Sequence, residues 1–304
     1  MKNKKSNIPV FVFAAGLACL LLVAGCSQDD ALTPTDGAED NGNAIRFTTA
    51  IAPFTGNDAT DNPGTRATIN DEDGKGNFAN DDETTIIGFA YIGTSIVTKE
   101  HPAIYKDGTW ITDMTWDEFG EVEFVRFSAF FPKRSLADFD ENGQMEINFT
   151  DQSTPEKYAA CDWISAAATG KKADQPTIQL TFCHRMHRLT VNLSLSDTPG
   201  TLTQADVDAA TVVIKNMETK GVVNFSGSVE PQAGNTGDFT PLKSASGNSF
   251  RVLLPWQDVT PGTPWIEITV GGKTVIYAVP AGLTALREGT EQVVNLKLTD
   301  SGAS

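Results

Sequence analysis

Histidine is almost missing from this chain: there are three in 304 residues, His101, His184 and His187. None lies in a recognisable nucleophile motif, and without a placed base the abundant Ser, Thr and Asp cannot run acyl-transfer chemistry. No phosphate-binding loop and no dinucleotide fingerprint occurs. The expectation is no enzyme and no cofactor. Metal sites fare no better. Cys183-His184-x-x-His187 groups potential ligands, but neighbours on a strand face opposite sides, and no other His or Cys pair lies close enough in sequence to complete a tetrahedral set. Asp138-x-Asp140-x-Asn142-Gly143 opens like a calcium loop, yet its last position, which needs a bidentate carboxylate, is Phe149. An Asn-Gly turn between strands explains that run better, and the acidic stretch from Asp71 to Glu83 reads as a solvated loop.

Positive charge is scarce too. There are 23 Lys and Arg against 39 Asp and Glu, a formal charge of −16. Such a surface is unsuited to nucleic acid or to anionic lipid held by charge. Of four cysteines only Cys161 and Cys183 lie beyond residue 26. They are two thiols or one bridge, not a disulfide scaffold.

Only one long apolar run is present, Val10 to Val23, behind Lys2, Lys4 and Lys5. It is too short for a spanning helix and has the layout of a signal sequence. It ends in Leu22-Val23-Ala24-Gly25-Cys26, which resembles the lipobox of secreted bacterial lipoproteins. Residues 1–25 are thus expected to leave as a signal peptide, with Cys26 lipidated. Losing the three lysines would take the charge from −16 to −19. Residues 26–43 are almost entirely small, polar and acidic and form a flexible tether. Ser27-Gln28-Asp29-Asp30 resembles the surface-export signal of Bacteroidota lipoproteins; a merely solvated spacer is the plainer reading. The expected location is the outer membrane and cell surface.

Short strand-like runs bounded by Gly, Pro, Asn or Asp fill the remainder, among them Ile86–Tyr91, Val122–Phe131, Ile178–Phe182, Leu189–Leu195, Trp265–Val270 and Gln292–Leu298. Val270-Gly271-Gly272-Lys273-Thr274 predicts a tight hairpin. Good helices are few, and Thr203–Ala209 offers one turn. The absence of a βαβ rhythm predicts an all-β protein of antiparallel sandwiches. Small residues between Ala166 and Pro176 mark the boundary of two domains, 44–176 and 177–304. Just beyond, Ile178, Leu180, Phe182 and His184 share one parity and Leu189, Val191, Leu193 and Leu195 the other. A bulge or sheet crossing between Met186 and Leu189 is expected.

Leu180-Thr181-Phe182-Cys183-His184 leading into Leu189-Thr190-Val191-Asn192-Leu193 resembles a Phe-x-His, Leu-x-Val-x-Leu segment of the Bacteroidales fimbrillin-like proteins, the major and minor fimbrial subunits. Phe127–Pro132, Asp162–Ala166, Ile45-Arg46-Phe47 and Thr65-Arg66-Ala67 match further pieces in order. The resemblance implies two tandem transthyretin-like β-sandwiches in a pilus subunit supporting adhesion. Such subunits reach the surface as lipoproteins. An arginine-specific protease there removes the first strand, and a strand of another fimbrial subunit, in a homo- or hetero-polymer, fills the groove. Here the removable strand would present Ile45, Phe47, Thr49 and Ile51 on one face. Arg66, in a Gly, Asp, Asn and Pro-rich stretch, is the processing site, with Arg46 as rival. Gln292–Leu298 is either a donor strand or the last strand of its own sheet. The alternative is a monomeric surface lipoprotein binding a glycan or host protein, with Trp110 and Trp116 as candidate stacking aromatics.

Overall fold

Residues 43–56, 78–174, 177–225, 227–245, 247–300 and 302–303 are described by the structure, a computed structural model. Cys26, Arg66 and the part of the acidic stretch from Asp71 to Asn77 lie outside these residues. In chain order the first strands are β1 (Phe47–Ile51), β2 (Thr55–Gly56), β3 (Glu83–Ile92), β4 (Ser95–Lys106), β5 (Thr109–Ile111), β6 (Phe124–Phe131), β7 (Gln144–Asn148), β8 (Ile164–Lys171) and β9 (Ile178–His184). There follow β10 (His187–Leu195), β11 (Thr211–Glu218), β12 (Lys220–Asn224), β13 (Val229–Pro231), β14 (Thr236–Phe239), β15 (Leu242–Lys243) and β16 (Ser249–Leu254). The last are β17 (Gln257–Asp258), β18 (Pro264–Val270), β19 (Lys273–Ala278), β20 (Ala285–Leu286), β21 (Thr290–Thr299) and β22 (Gly302–Ala303). The all-β expectation holds.

Two apolar cores explain the mixed periodicity of β3 and β6. Ile86, Val125, Phe127 and Ala129 pack in one core, while Ile87 and Phe130 pack in the other. A strand buried on both faces has no polar side to alternate with, so its sequence reads as a nearly continuous apolar run. The first core fills a closed barrel of order β1-β5-β4-β3-β6-β8-β9. An open sandwich was expected there; β1 makes the difference by pairing with both β5 and β9. Gly88 on β3 lets the ring of Phe119 seat against the backbone, where a Cβ would lie 2.3 Å from the ring.

The second core is enclosed by the sheet β15-β16-β10-β21-β2, by β14-β11-β18-β19 and by β13-β12-β7. β7 comes from the first half of the chain but pairs with β12 from Lys220↔Asn148 to Asn224↔Gln144. Gly271 and Gly272 turn β18 into β19 with φ of 55° and 75°, as the paired glycines predict.

The parity break is a sheet crossing. β9 pairs with β8 and β1 in the barrel, and β10 pairs with β16 and β21 in the second sheet system. The chain passes between them at Arg185–Met186, slightly before the expected stretch and one strand after the sequence-level boundary at residue 177. Most pairs run antiparallel, but β1 with β9, β10 with β21 and β2 with β21 run parallel. Parallel partners are joined by distant connections, which local alternation does not reveal. Among the described residues no helix is long and apolar enough to cross a membrane.

Candidate functional site: the N-terminal strand and its seat

β1 is held along both edges. Its register with β9 runs from Phe47↔Ile178 to Ile51↔Phe182, and with β5 it pairs Phe47↔Trp110 and Thr48↔Thr109. Backbone bonds extend the grip at each end. Ile45 N–H donates to the Met114 carbonyl at 3.0 Å, Trp116 N–H to Asn43 at 2.9 Å, and Ala52 N–H to Phe182 at 2.8 Å. Strand alternation sends Ile45 and Phe47 inward, 3% and 1% exposed, with Thr49 and Ile51 half-buried along the same side. The Phe47 ring meets Phe127 edge-on at 5.1 Å. The Thr49 hydroxyl donates to the Leu180 carbonyl at 3.3 Å. The seat is therefore apolar along its length, with Ile51 also packed against the barrel core.

Arg46 is exposed, as alternation requires, and its carbonyl accepts from Ile178 N–H at 2.8 Å. A protease acting there would first have to lift the strand out of its ladders. Arg66 falls between the described residues Gly56 and Phe78.

Trp110 and Trp116 belong to the barrel core, 2% and 1% exposed, which corrects their reading as ligand-stacking aromatics. Trp110 packs edge-on to Phe78 at 4.7 Å, and Trp116 packs against Phe127 at 6.0 Å. The acidic neighbours that suggested exposure, Asp113, Asp117 and Glu118, lie on a loop whose own Trp116 and Phe119 turn into that core. In β5 the order exposed, buried, exposed for Thr109, Trp110 and Ile111 was available from alternation alone.

That loop flanks the N-terminal strand and is pinned by His101 on β4. His101 Nδ1 meets Asp113 Oδ1 at 2.5 Å and Nε2 meets Glu118 Oε2 at 2.7 Å. Burial pulls the imidazole pKa down, but hydrogen bonds and charge from Asp113 and Glu118 outweigh it and leave the value raised. Asp113 is correspondingly lowered by its bond to His101. Glu118 bonds Thr115 N–H at 2.8 Å and closes a capping box on the short 3-10 turn Trp116–Phe119.

Past β1 the segment leaves the barrel and crosses to the second sheet system. Thr55 N–H donates to the Gly289 carbonyl at 2.8 Å, and β2 pairs with the start of β21. Between them Phe54 stacks on His184, with centroids 3.8 Å apart and planes at 21°. His184 Nδ1 bonds Asp162 Oδ1 at 2.7 Å, both side chains being buried. Sequence reading placed His184 inside but missed its partner, although Asp162 and His184 fell in two separately noted motifs. Asp162 lies two residues before Ile164, which pairs with His184 where β8 meets β9. Cys161 and Cys183 are not joined in a disulfide, and burial pushes the Cys161 thiol up to about 12. Among the described residues no cluster of His, Cys, Asp and Glu could hold a metal ion.

A family model described as fimbrillin-like matches residues 65–304. Among solved structures, a candidate cell adhesion protein of Bacteroides uniformis superposes with a TM-score of 0.64 at 17% identity, covering 87% of this chain and 96% of its own. One from Bacteroides ovatus gives 0.63 at 16% identity, covering 86% and 94%. One from Bacteroides thetaiotaomicron gives 0.52 at 16% identity, covering 83% and 93%. At these identities the likeness is one of fold. No curated protein sequence matches the chain.

Proposed function

Because the chain belongs to the fimbrillin-like family, we propose that it is a fimbrial structural subunit, exported as a lipoprotein through Cys26 and assembled by replacement of its own N-terminal strand. In this reading the segment bearing β1 and β2 is a placeholder. An arginine-specific surface protease cuts after Arg66, and a strand from another subunit takes the vacated place and joins subunits into an adhesive polymer. The chain is then two tandem transthyretin-like units, with β1 completing the first.

The observation that carries the proposal is the position of β1. It is the closing strand of the barrel, its inward side chains are core residues, and only chain upstream of Phe78 ties it in. Removing it would bare Phe127, Ile178, Leu180 and Phe182 together with two rows of unpaired backbone groups, the requirement for strand addition. The family match begins at residue 65, immediately before Arg66. All of the matched portion except Thr65 and Arg66 lies in the part such a cut would leave. Arg46, locked in its ladder, is the poorer site.

A test treats the mature chain with a trace of trypsin and follows intact mass and native gel mobility. The expected result is an early cut after Arg66, release of the upstream segment and a ladder of oligomers. Arg66→Ala should fold normally and stay monomeric. A cut chain that remains a monomer with residues 43–56 bound would instead support the monomeric binding protein. For that reading the structure offers a different surface, the exposed Tyr91, Ile96 and Phe124 on β3, β4 and β6, with Tyr91 opposite Ile96.

A further inference from the structure

Phe54 packs against the second core and also meets two polar side chains. One partner is the His184 ring, whose orientation is fixed by Asp162. The other is the Arg188 guanidinium, which lies 4.5 Å from the Phe54 ring centroid. Arg188 is itself fixed by Glu291 at 2.6 Å. Both of these hydrogen-bonded pairs are contributed by chain outside the N-terminal segment, and the segment adds only the phenyl ring. His184 Nε2 is buried without a hydrogen-bond partner. A buried, half-satisfied imidazole costs stability that an aliphatic residue would not. What the imidazole and guanidinium offer in exchange is a flat π face and a cation for an aromatic ring.

We propose that His184 and Arg188 form an aromatic-selective subsite for the incoming strand, occupied by Phe54 until the N-terminal segment is displaced. The inference rests on the strand-replacement reading and adds to it a sequence requirement. The replacing strand should carry a buried aromatic in the place of Phe47 and a second aromatic seven positions on, as Phe54 follows Phe47 here. The path between the two places is set by β1 along β9 and β2 along β21. An aliphatic side chain at the second place would keep the apolar contact but forfeit both the stacking and the cation interaction. β21, the strand nearest the C-terminus with a buried alternating face, holds no aromatic between Thr290 and Thr299. A second copy donating β21 would leave the subsite unfilled, so the strand the subsite fits is an aromatic-bearing segment other than β21.

The test uses the mature chain, nicked between Gly56 and Phe78 by limited trypsin, and fluorescent synthetic peptides of residues 43–56. The peptides carry Phe, Tyr, Leu or Ala at position 54, and exchange into the nicked protein is followed by anisotropy. Phe and Tyr peptides should bind within about threefold of each other, and Leu and Ala peptides about tenfold or more weakly, equivalent to roughly 1.4 kcal/mol. Arg188→Met in the protein should shrink the gap between Phe and Leu. If all four peptides exchange alike, the aromatic subsite is overturned while strand replacement stands. If no peptide enters, the segment does not leave and both proposals fall.

Discussion

β1 and β21 occupy matching places. Each runs parallel to one half of the same crossing chain, β1 beside β9 and β21 beside β10. They are nevertheless held very differently. β21 shares eight register positions with β10 and buries Val294, Leu296 and Leu298 at 6%, 1% and 0% exposure. β1 is half as long, with one fully buried side chain, Phe47, and the rest half-buried. Equivalent topology thus leaves β21 deeply buried and β1 much less so, and the strand-replacement reading rests on that difference, because stability follows buried apolar area rather than strand count. On this ground β21 reads as the last long strand of its own sheet; donating it would strip out the middle of the β10-β21-β2 ladder.

The sharpest way to break this comparison is to put a charge in each strand. Leu296→Asp should abolish folding or cost more than about 4 kcal/mol, because an unpaired carboxylate would be buried. Ile51→Asp, at a half-buried site, should cost about 1–2 kcal/mol and leave a cooperative thermal transition. Equal losses by circular dichroism would show that β1 is as integral as β21. Native-state hydrogen exchange should next place the opening of β1 amides about 3 kcal/mol below that of β10 and β21; a common opening energy would merge the two strands into one cooperative unit.

Acid should separate them further. His187 on β10 faces Thr290 at the start of β21, Nδ1 to Oγ1 at 2.9 Å. The Thr290 hydroxyl donates to the Arg287 carbonyl at 2.7 Å, so the imidazole is the donor in that contact. Burial pushes the His187 pKa down to about 4. Below its ordinary value near 6.5 the unfolded chain therefore binds a proton that the folded one does not. Stability should fall as pH drops from about 6.5 to about 4, by roughly 2 kcal/mol. His187→Gln should flatten that limb in urea melts at stepped pH.

The smallest effect belongs to the β1 side and has the opposite sign. His101 has a raised pKa, so its contribution is complete below the ordinary value and disappears as pH rises through the folded one. Asp113 and Glu118, whose values are lowered, contribute above their ordinary range and lose that contribution on acidification. The clamp on the loop beside β1 is thus strongest in mildly acidic solution. His101→Gln should remove the difference between melting points at pH 6 and pH 9, and an unchanged difference would assign it to other groups.

Much of the fold was legible in the residues. Alternation located β1, β9 and β10, paired glycines located the β18–β19 turn, and the parity break anticipated the crossing at Arg185–Met186. The mixed pattern of β6 was visible, but its cause was not, since a wall shared by two cores is a tertiary fact. The parallel partners of β1 and β21 and the desertion of β7 to β12 were likewise hidden, because long connections leave no local trace. At the site, the inward faces of Ile45 and Phe47 could be read from period two alone. Trp110 and Trp116 misled because their acidic neighbours marked a loop, while the rings themselves pack into the barrel among Phe78, Tyr105, Phe127 and Phe182. Phe54, His184 and Arg188 were invisible as a group, since each comes from a different strand or connection.

The two-sided ladder around β1 also has a mechanical consequence. An edge strand can be peeled off one bond at a time, but a strand with neighbours on both sides has no free edge from which peeling can start. Drawn along its own length, it loads both rows of bonds together. In the strand-replacement reading its occupant is a tension-bearing joint, strongest against a lengthwise pull and weakest where an end of the strand first works loose, at Phe47 or at Ile51.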